Sequence, residues 1–333
     1  MRSTDTILTR RGFLGASIAA PVAGTGAVSG CSDEGGSGSA AGSSAVQATS
    51  QVIVAMNAGS EPAAGFDPLV AWGCGEHVHE PLIQSTLITT DRDLNFVNDL
   101  ATEYLCSDDG LVWTFTIRDD VVFTDGEPLT AHDVAFTVNA VAKGTTSEAD
   151  LSMVDQATAV SDTVIEIHLN KPYNALLYTL AVLGIVPEHA YGDGYGANPI
   201  GSGRYMLEQW DRGQQAIFRA NPDYYGEAPL IERVVVVFMD EDAALAAVRA
   251  GQVDIAYTYA THSEQAFDGY ELVAYDTVDS RGMSLPAVPA GGTKMDGDAE
   301  YPMGNDVTCD VSVRRAINMG IDRQAVIDHV ING

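Results

Sequence analysis

Trp113-Thr114-Phe115-Thr116-Ile117-Arg118-Asp119-Asp120-Val121-Val122-Phe123-Thr124-Asp125-Gly126-Glu127-Pro128-Leu129-Thr130-Ala131-His132-Asp133-Val134 is the stretch that decides how this chain folds. Its first five residues alternate with period two, which puts Trp113, Phe115 and Ile117 on one face of a half-buried strand. Arg118-Asp119-Asp120 supplies a polar turn, and Val121-Val122-Phe123 is predicted to pair back as a second strand. Asp125-Gly126-Glu127-Pro128 stops that strand. Thr130, with Asp133 three residues on, has the pattern of a capping box opening an amphipathic helix through Ala142.

Working outward, strands and helices mix with no fixed repeat. Gln51 to Met56 is predicted as the first strand. Thr163 to Leu169 alternates again, with Ile165, Ile167 and Leu169 on one face and Glu166 and His168 on the other. Arg233 to Met239 is nearly continuously apolar, as a strand covered on both faces is. Asp242 to Ala250 reads as a helix stopped by Gly251, followed by a strand at Val253 to Ala256. Helical patterns at Val311 to Met319 and Arg323 to Val330 follow Asp310 and Asp322, each placed to cap. The class is mixed α/β.

The N-terminus has a different logic. Thr9-Arg10-Arg11-Gly12-Phe13-Leu14 leads into a weakly apolar run ending at Ser29-Gly30-Cys31. A basic start, an apolar middle and a small-residue cleavage site make residues 1–30 an export signal. The arginine pair resembles a twin-arginine signal, which exports folded proteins, and Ser29-Gly30-Cys31 resembles a lipobox, where Cys31 is acylated after cleavage. Pro21 and several glycines make the run a poor spanning helix, and it is shorter than the ~20 apolar residues a bilayer needs. Residues 31–50 are rich in Ser, Gly and Ala and cannot bury apolar surface, so they read as a flexible tether.

Composition narrows the function classes. The 333-residue chain carries a formal charge of −29, and its lysines number only three (Lys143, Lys171, Lys294). Such a charge repels nucleic acid and anionic membrane surfaces, which excludes both as partners other than through the lipid anchor. Carboxylates spread along a whole chain read as a solvated surface rather than a cation site. The apolar content of 46% is enough to bury a core in more than one domain. Beyond Cys31 the cysteines are Cys74, Cys106 and Cys309; Cys74 with Cys106 is the conceivable disulfide of an exported protein.

Four blocks, in order, carry a resemblance to a known family. They are the opening stretch; Leu169-Asn170-Lys171-Pro172-Tyr173 with Ile185-Val186-Pro187-Glu188-His189; Pro199-Ile200-Gly201-Ser202-Gly203-Arg204-Tyr205 with Asn221-Pro222-Asp223-Tyr224-Tyr225-Gly226 and Gly251-Gln252-Val253-Asp254-Ile255; and Val313-Arg314-Arg315-Ala316-Ile317-Asn318-Met319-Gly320-Ile321-Asp322-Arg323. Together they resemble the extracytoplasmic solute-binding proteins of ABC importers, in the peptide/nickel-binding group (family 5). The resemblance implies a periplasmic-binding-protein-like (type II) clamshell with mixed sheets. It implies a first lobe from residues 51–73 and 186–281, an additional domain at 74–185, and residues 282–333 as the start of a second lobe that is incomplete. It also implies a receptor on the outer face of the cell membrane that captures a small-molecule or short-peptide ligand for an ABC permease, with no cofactor. The alternatives are a nickel or metal-chelate receptor of the same family and a non-transporting, truncated surface protein.

Candidate site residues follow, each with a plainer reading beside it. Cys74-Gly75-Glu76-His77-Val78-His79 gathers thiol and imidazole donors that suit nickel, zinc or a chelate under the metal alternative; as pocket-wall residues, His77 and His79 need no metal. Trp72 offers a face for stacking, or packs in the core. Arg281 can hold a carboxylate in a bidentate pair, or pair with Asp276 or Asp279. Tyr259, with Tyr257, lines a cleft or packs beside its strand. The glycine-rich Gly192-Asp193-Gly194-Tyr195-Gly196 lacks the strand-to-helix context of a phosphate cradle and reads as a loop. Neither a nucleophile elbow, a His-Glu-x-x-His motif nor a Walker loop occurs, so the chain is read as a binding protein and not an enzyme.

Overall fold

Thr130 does open a helix. In a computed structural model its hydroxyl accepts the His132 amide, and the Asp133 carboxylate reaches back to the Thr130 amide at 2.9 Å, a complete capping box at the start of α1 (Ala131–Lys143). The structure describes residues 4–10, 50–70, 73–74, 77–78, 81–144, 149–259, 262, 265–276, 282–296 and 299–330. These form two compact units, Gly12–Ile255 and Met1–Arg11 with Ala256–Gly333.

The larger unit has two main sheets. In the first, β7 (Ala101–Cys106), β8 (Val112–Ile117), β9 (Val154–Ala159) and β10 (Val164–Leu169) run in the order β7-β8-β10-β9, each pair antiparallel. The two-residue periodicity of the sequence is realised here: Phe115, Ile117, Ile165, Ile167 and Leu169 are buried in one core. Helix α1 covers that core with Val134, Val138 and Val141. Burial of each such side chain contributes about 1.5–3 kcal/mol relative to exposure. Asn139 fixes the helix on β9: its amide donates to the Ala157 carbonyl at 2.8 Å and its oxygen accepts the Ala157 amide at 2.9 Å.

One sequence expectation fails here. Val121-Val122-Phe123 does not pair with β8, whose neighbours are β7 and β10. Instead it closes on the turn that follows: the Phe123 amide donates to Glu127 and the Leu129 amide to Val121, around Gly126 at φ 92°. Val121 and Phe123 are buried, so they act as plugs for the core beside the sheet.

The second sheet of this unit is built from β2 (Val52–Met56), β11 (Tyr205–Asp211), β12 (Gln215–Ala220) and β13 (Arg233–Phe238), ordered β11-β12-β13-β2. β13 runs parallel to β2 and antiparallel to β12, the enclosed position that its apolar run predicts. α3 (Glu241–Arg249) packs on β2, and the strand predicted at 253–256 begins two residues later, as β14 (Ile255–Thr258). Shorter elements complete the unit: β3 (Gly73–Cys74) with β4 (His77–Val78), β5 (Ile88–Thr90) with β6 (Phe96–Asn98), and α2 (Leu176–Leu180).

Gly201 and Gly203 let two distant segments of this unit meet backbone to backbone. Neither has positive φ. A Cβ on Gly201 would lie 2.1 Å from the Ile83 carbonyl oxygen, and one on Gly203 would lie 2.6 Å from that of Leu82. Only a chain without side chains approaches this closely. The Gly203 amide then donates to Ile83 at 2.7 Å and the Tyr205 amide to Leu82 at 3.0 Å.

In the smaller unit, β15 (Tyr270–Asp276) pairs antiparallel with β1 (Thr4–Arg10), and β1 lies between β14 and β15 in the sheet order. A hairpin of β16 (Gly292–Asp296) and β17 (Ala299–Met303) follows, then α4 (Val311–Gly320) and α5 (Arg323–Val330). Asp310 accepts the Ser312 amide at 2.7 Å, and Asp322 the Ala325 amide at 3.0 Å, as capping requires. The mixed α/β class read from the sequence is what the two units contain. Among the described residues no helix is long and apolar enough to cross a membrane.

Candidate functional site

The larger unit contains two partly buried phenol–carboxylate locks that the sequence reading missed. In the first, Tyr191 donates to Asp67 at 3.0 Å, while the other Asp67 oxygen accepts the Leu69 amide at 3.0 Å. Beside it Tyr195 donates to the Ile200 carbonyl at 2.6 Å and accepts from the Gln84 amide, which also donates to Phe66. Burial raises the Asp67 carboxyl above its ordinary 3.8, outweighing its two hydrogen bonds. Burial, and then the Asp67 charge, push Tyr191 up to about 12. In the second lock, Tyr225 donates to Asp99 at 2.5 Å under the Arg118 guanidinium, 5.0 Å from its ring centre. Asp99 also accepts the Thr86 amide. Burial raises Tyr225 far above its usual range.

Phenols held this firmly protonated are donors, not general bases, at neutral pH. They fasten residues 66–69 and 84–100 to residues 191–225, giving a rigid frame rather than a reactive centre. The glycine-rich loop belongs to the same frame. It forms a single helical turn at Tyr195–Ala197, and a Cβ on Gly196 would lie 2.6 Å from the Ala64 carbonyl oxygen.

Histidines in this unit pair with carboxylates at the surface: His189 with Asp125 at 2.8 Å, His168 with Glu166 at 3.2 Å, and His132 with Asp162 at 3.8 Å. Among the described residues no group of three or more His, Cys, Asp or Glu side chains is placed to hold a metal. Cys106 and Cys309 are free thiols, so the conceivable Cys74–Cys106 bond is not formed. Burial first, and Asp109 second, raise the Cys106 pKa, which leaves it a poor nucleophile.

Of the predicted site residues, Tyr259 is placed most fully. It follows β14, is 41% exposed and meets Tyr257 edge-on at 5.6 Å. Cys74 and His77 are opposite residues in the β3–β4 register. Arg10 ends β1, opposite Tyr270. Arg11, Cys31, Trp72, His79 and Arg281 lie outside the described residues.

Comparison with known proteins places this frame. A family model described as "Bacterial extracellular solute-binding proteins, family 5 Middle" matches residues 95–333. The chain is 31% identical over 295 residues to Protein XP55 of Streptomyces lividans, covering 84% of this chain and 50% of XP55. It is 35% identical over 170 residues to the probable D,D-dipeptide-binding periplasmic protein DdpA of Escherichia coli (strain K12), covering 47% of this chain and 33% of DdpA. It is 29% identical over 274 residues to the nickel-binding periplasmic protein of the same strain, covering 77% of this chain and 48% of that protein. Its fold is similar to the crystal structure of NikZ from Campylobacter jejuni in complex with Ni(L-His), with a TM-score of 0.65, 23% identity, 84% coverage of this chain and 55% of NikZ. The chain thus spans about half the length of the curated relatives it matches.

Proposed function

Because the chain belongs to the bacterial extracellular solute-binding proteins, family 5, we propose that it is the substrate-binding component of an ABC importer, capturing short peptides and passing them to the permease. The observation that carries the peptide reading is the 35% identity to the D,D-dipeptide-binding relative. In this reading residues 1–30 direct export, Cys31 carries the lipid and residues 31–50 tether the body to the outer face of the membrane. Residues 51–73 and 186–281 form a first lobe, 74–185 an additional domain, and 282–333 the beginning of a second lobe. Tyr259, Trp72, His77, His79 and Arg281 are its proposed ligand residues.

The chemistry asked of the site is modest. A zwitterionic peptide needs a cation for its carboxylate, which Arg281 supplies, and an apolar face for its side chains, which Tyr259 supplies. The phenol–carboxylate locks support the reading by holding a rigid frame, so that little ordering cost falls on binding. The identity to the nickel-binding relative favours a second reading, in which Cys74 and His77, opposite one another in their hairpin, take part in holding nickel or its chelate.

Calorimetric titration of the protein with a di- to tetrapeptide panel, and separately with nickel–histidine, tests both. Peptide binding that weakens about tenfold in Tyr259→Ala, a change of ~1.4 kcal/mol, is the expected result. Binding of nickel–histidine alone overturns the peptide reading in favour of the second. If neither is bound while another solute is, both are wrong.

A further inference from the structure

Four turns of the larger unit divide their carboxylates between two jobs. Asp91 accepts the amides of Asp93 and Asn95, each at 2.9 Å, Asp109 accepts that of Leu111 at 3.1 Å, and Asp125 that of Glu127 at 3.2 Å. Asp120 pairs with Arg118 at 2.6 Å. Each of these carboxylates has a fixed partner within its own turn, as short polar side chains in turns do. A second carboxylate sits beside each one. Asp93, Asp108, Glu127 and Asp119 are exposed, and their side chains have no hydrogen bond or ion pair among the described residues. Positive charge is scarce, with 17 Lys and Arg against 46 Asp and Glu. Part of it serves packing and backbone: Arg212 lies over the Trp210 ring at 4.3 Å, and Arg314 donates to the Thr308 and Cys309 carbonyls.

We propose that the unpartnered carboxylates make the fold depend on ionic strength, so that the larger unit reaches full stability only in concentrated salt. Folding draws like charges together, and a net charge of −29 opposes the compact state. Salt weakens that opposition, because the screening length falls from about 10 Å at 0.1 M to about 3 Å at 1 M. No carboxylate is asked to hold a particular ion; the effect is the screening of a repulsion carried on the tips of four turns. The turn-forming carboxylates act in the opposite sense, since their charge is what accepts the turn amides. The inference is independent of which solute the protein binds.

Two double variants of the full chain test it: Asp93→Asn with Asp108→Asn, and Asp119→Asn with Glu127→Gln. Each removes two charges and leaves the turn-forming carboxylates in place. Urea is uncharged, so its unfolding midpoints can be compared between about 0.1 M and 1 M NaCl. Tryptophan fluorescence follows the larger unit, whose span contains all three tryptophans, Trp72, Trp113 and Trp210. We expect the parent midpoint to rise by about 1 M urea or more, and each variant to start higher at low salt and to rise by less. Any effect of the salt on apolar burial acts on all three proteins alike and cancels in the difference. A parent midpoint that stays or falls with salt overturns the proposal. A rise of the same size in the parent and both variants assigns the effect to burial or to a bound ion, and overturns it too. Should one pair distort its turns and lower the midpoint, the other pair, on separate turns, decides by the same criteria.

Discussion

Helices α1 and α4 begin alike and end differently. Each opens on a side-chain cap, Thr130 for one and Asp310 for the other, and each carries an apolar stripe. Yet α1 buries Ala131, Asp133, Val134, Ala135, Thr137, Val138 and Val141, whereas α4 buries nothing: Val313, Arg314 and Ile317 are half-buried and Met319 is 85% exposed. The contrast extends to their surroundings. Phe115, Ile165 and Ile167 are fully buried near α1, but no residue between 282 and 329 whose burial is described is buried. Caps and stripes therefore specify that a helix forms and which face it turns inward. They do not specify what it turns toward, because that depends on packing between distant parts of the chain.

The largest expected effect separates the two regions by stability. Phe115→Ala should destabilise the larger unit by about 3–5 kcal/mol, from lost burial and the cavity left behind. Met319→Ala should change stability by no more than about 0.5 kcal/mol, as exposed substitutions do. Urea unfolding followed by tryptophan fluorescence measures both. A Met319 effect of the same size as that of Phe115 would mean that α4 is packed in solution, and the comparison would break.

A smaller effect comes from the caps. Thr130→Ala removes one half of a capping box in a packed helix and should cost about 1 kcal/mol of the larger unit's stability. Asp310→Ala removes a cap of similar geometry, but α4 has no buried face to lose with it. Circular dichroism should fall slightly in Asp310→Ala while the main unfolding midpoint stays where it is. A shift of that midpoint equal to that of Thr130→Ala would contradict the difference drawn between the helices.

What the sequence disclosed follows the same division. Local signals were legible: the box at Thr130 and Asp133, the alternation of Ile165, Ile167 and Leu169, and the caps at Asp310 and Asp322 all have the roles that their spacing suggests. Partners distant in sequence were not. β8 finds β10 rather than the adjacent Val121–Phe123, because a buried Phe123 serves the core better as a plug than as a strand residue. Gly201 carries no local sign of its neighbour, Ile83, which is more than a hundred positions away. Asp67 and Tyr191 are 124 residues apart, so neither carries a local signal of the other. Of the proposed ligand residues, Tyr259 directly follows β14 and meets Tyr257 edge-on.

The finest difference between the regions is one of sign. Asp67 is raised above 3.8 by burial, whereas Asp310 is lowered from 3.8, first by the Ser312 amide. For Asp67 the folded chain holds a proton more tightly than the unfolded one. Its contribution to stability is present at low pH and is lost as pH rises from 3.8 through its raised value. For Asp310 the ionised form is the one favoured by folding. Its contribution is present above 3.8 and is lost as pH falls through its lowered value. Carboxyl NMR titration should therefore give midpoints on opposite sides of 3.8. Asp67→Asn keeps an oxygen for the Leu69 amide and another polar group near Tyr191, but has no charge to bury. It should flatten the decline of stability just above pH 3.8 without affecting the Asp310 midpoint. Two midpoints on the same side of 3.8 would show that Asp67 is solvated like a surface carboxylate, and the buried frame would then be looser than its hydrogen bonds describe.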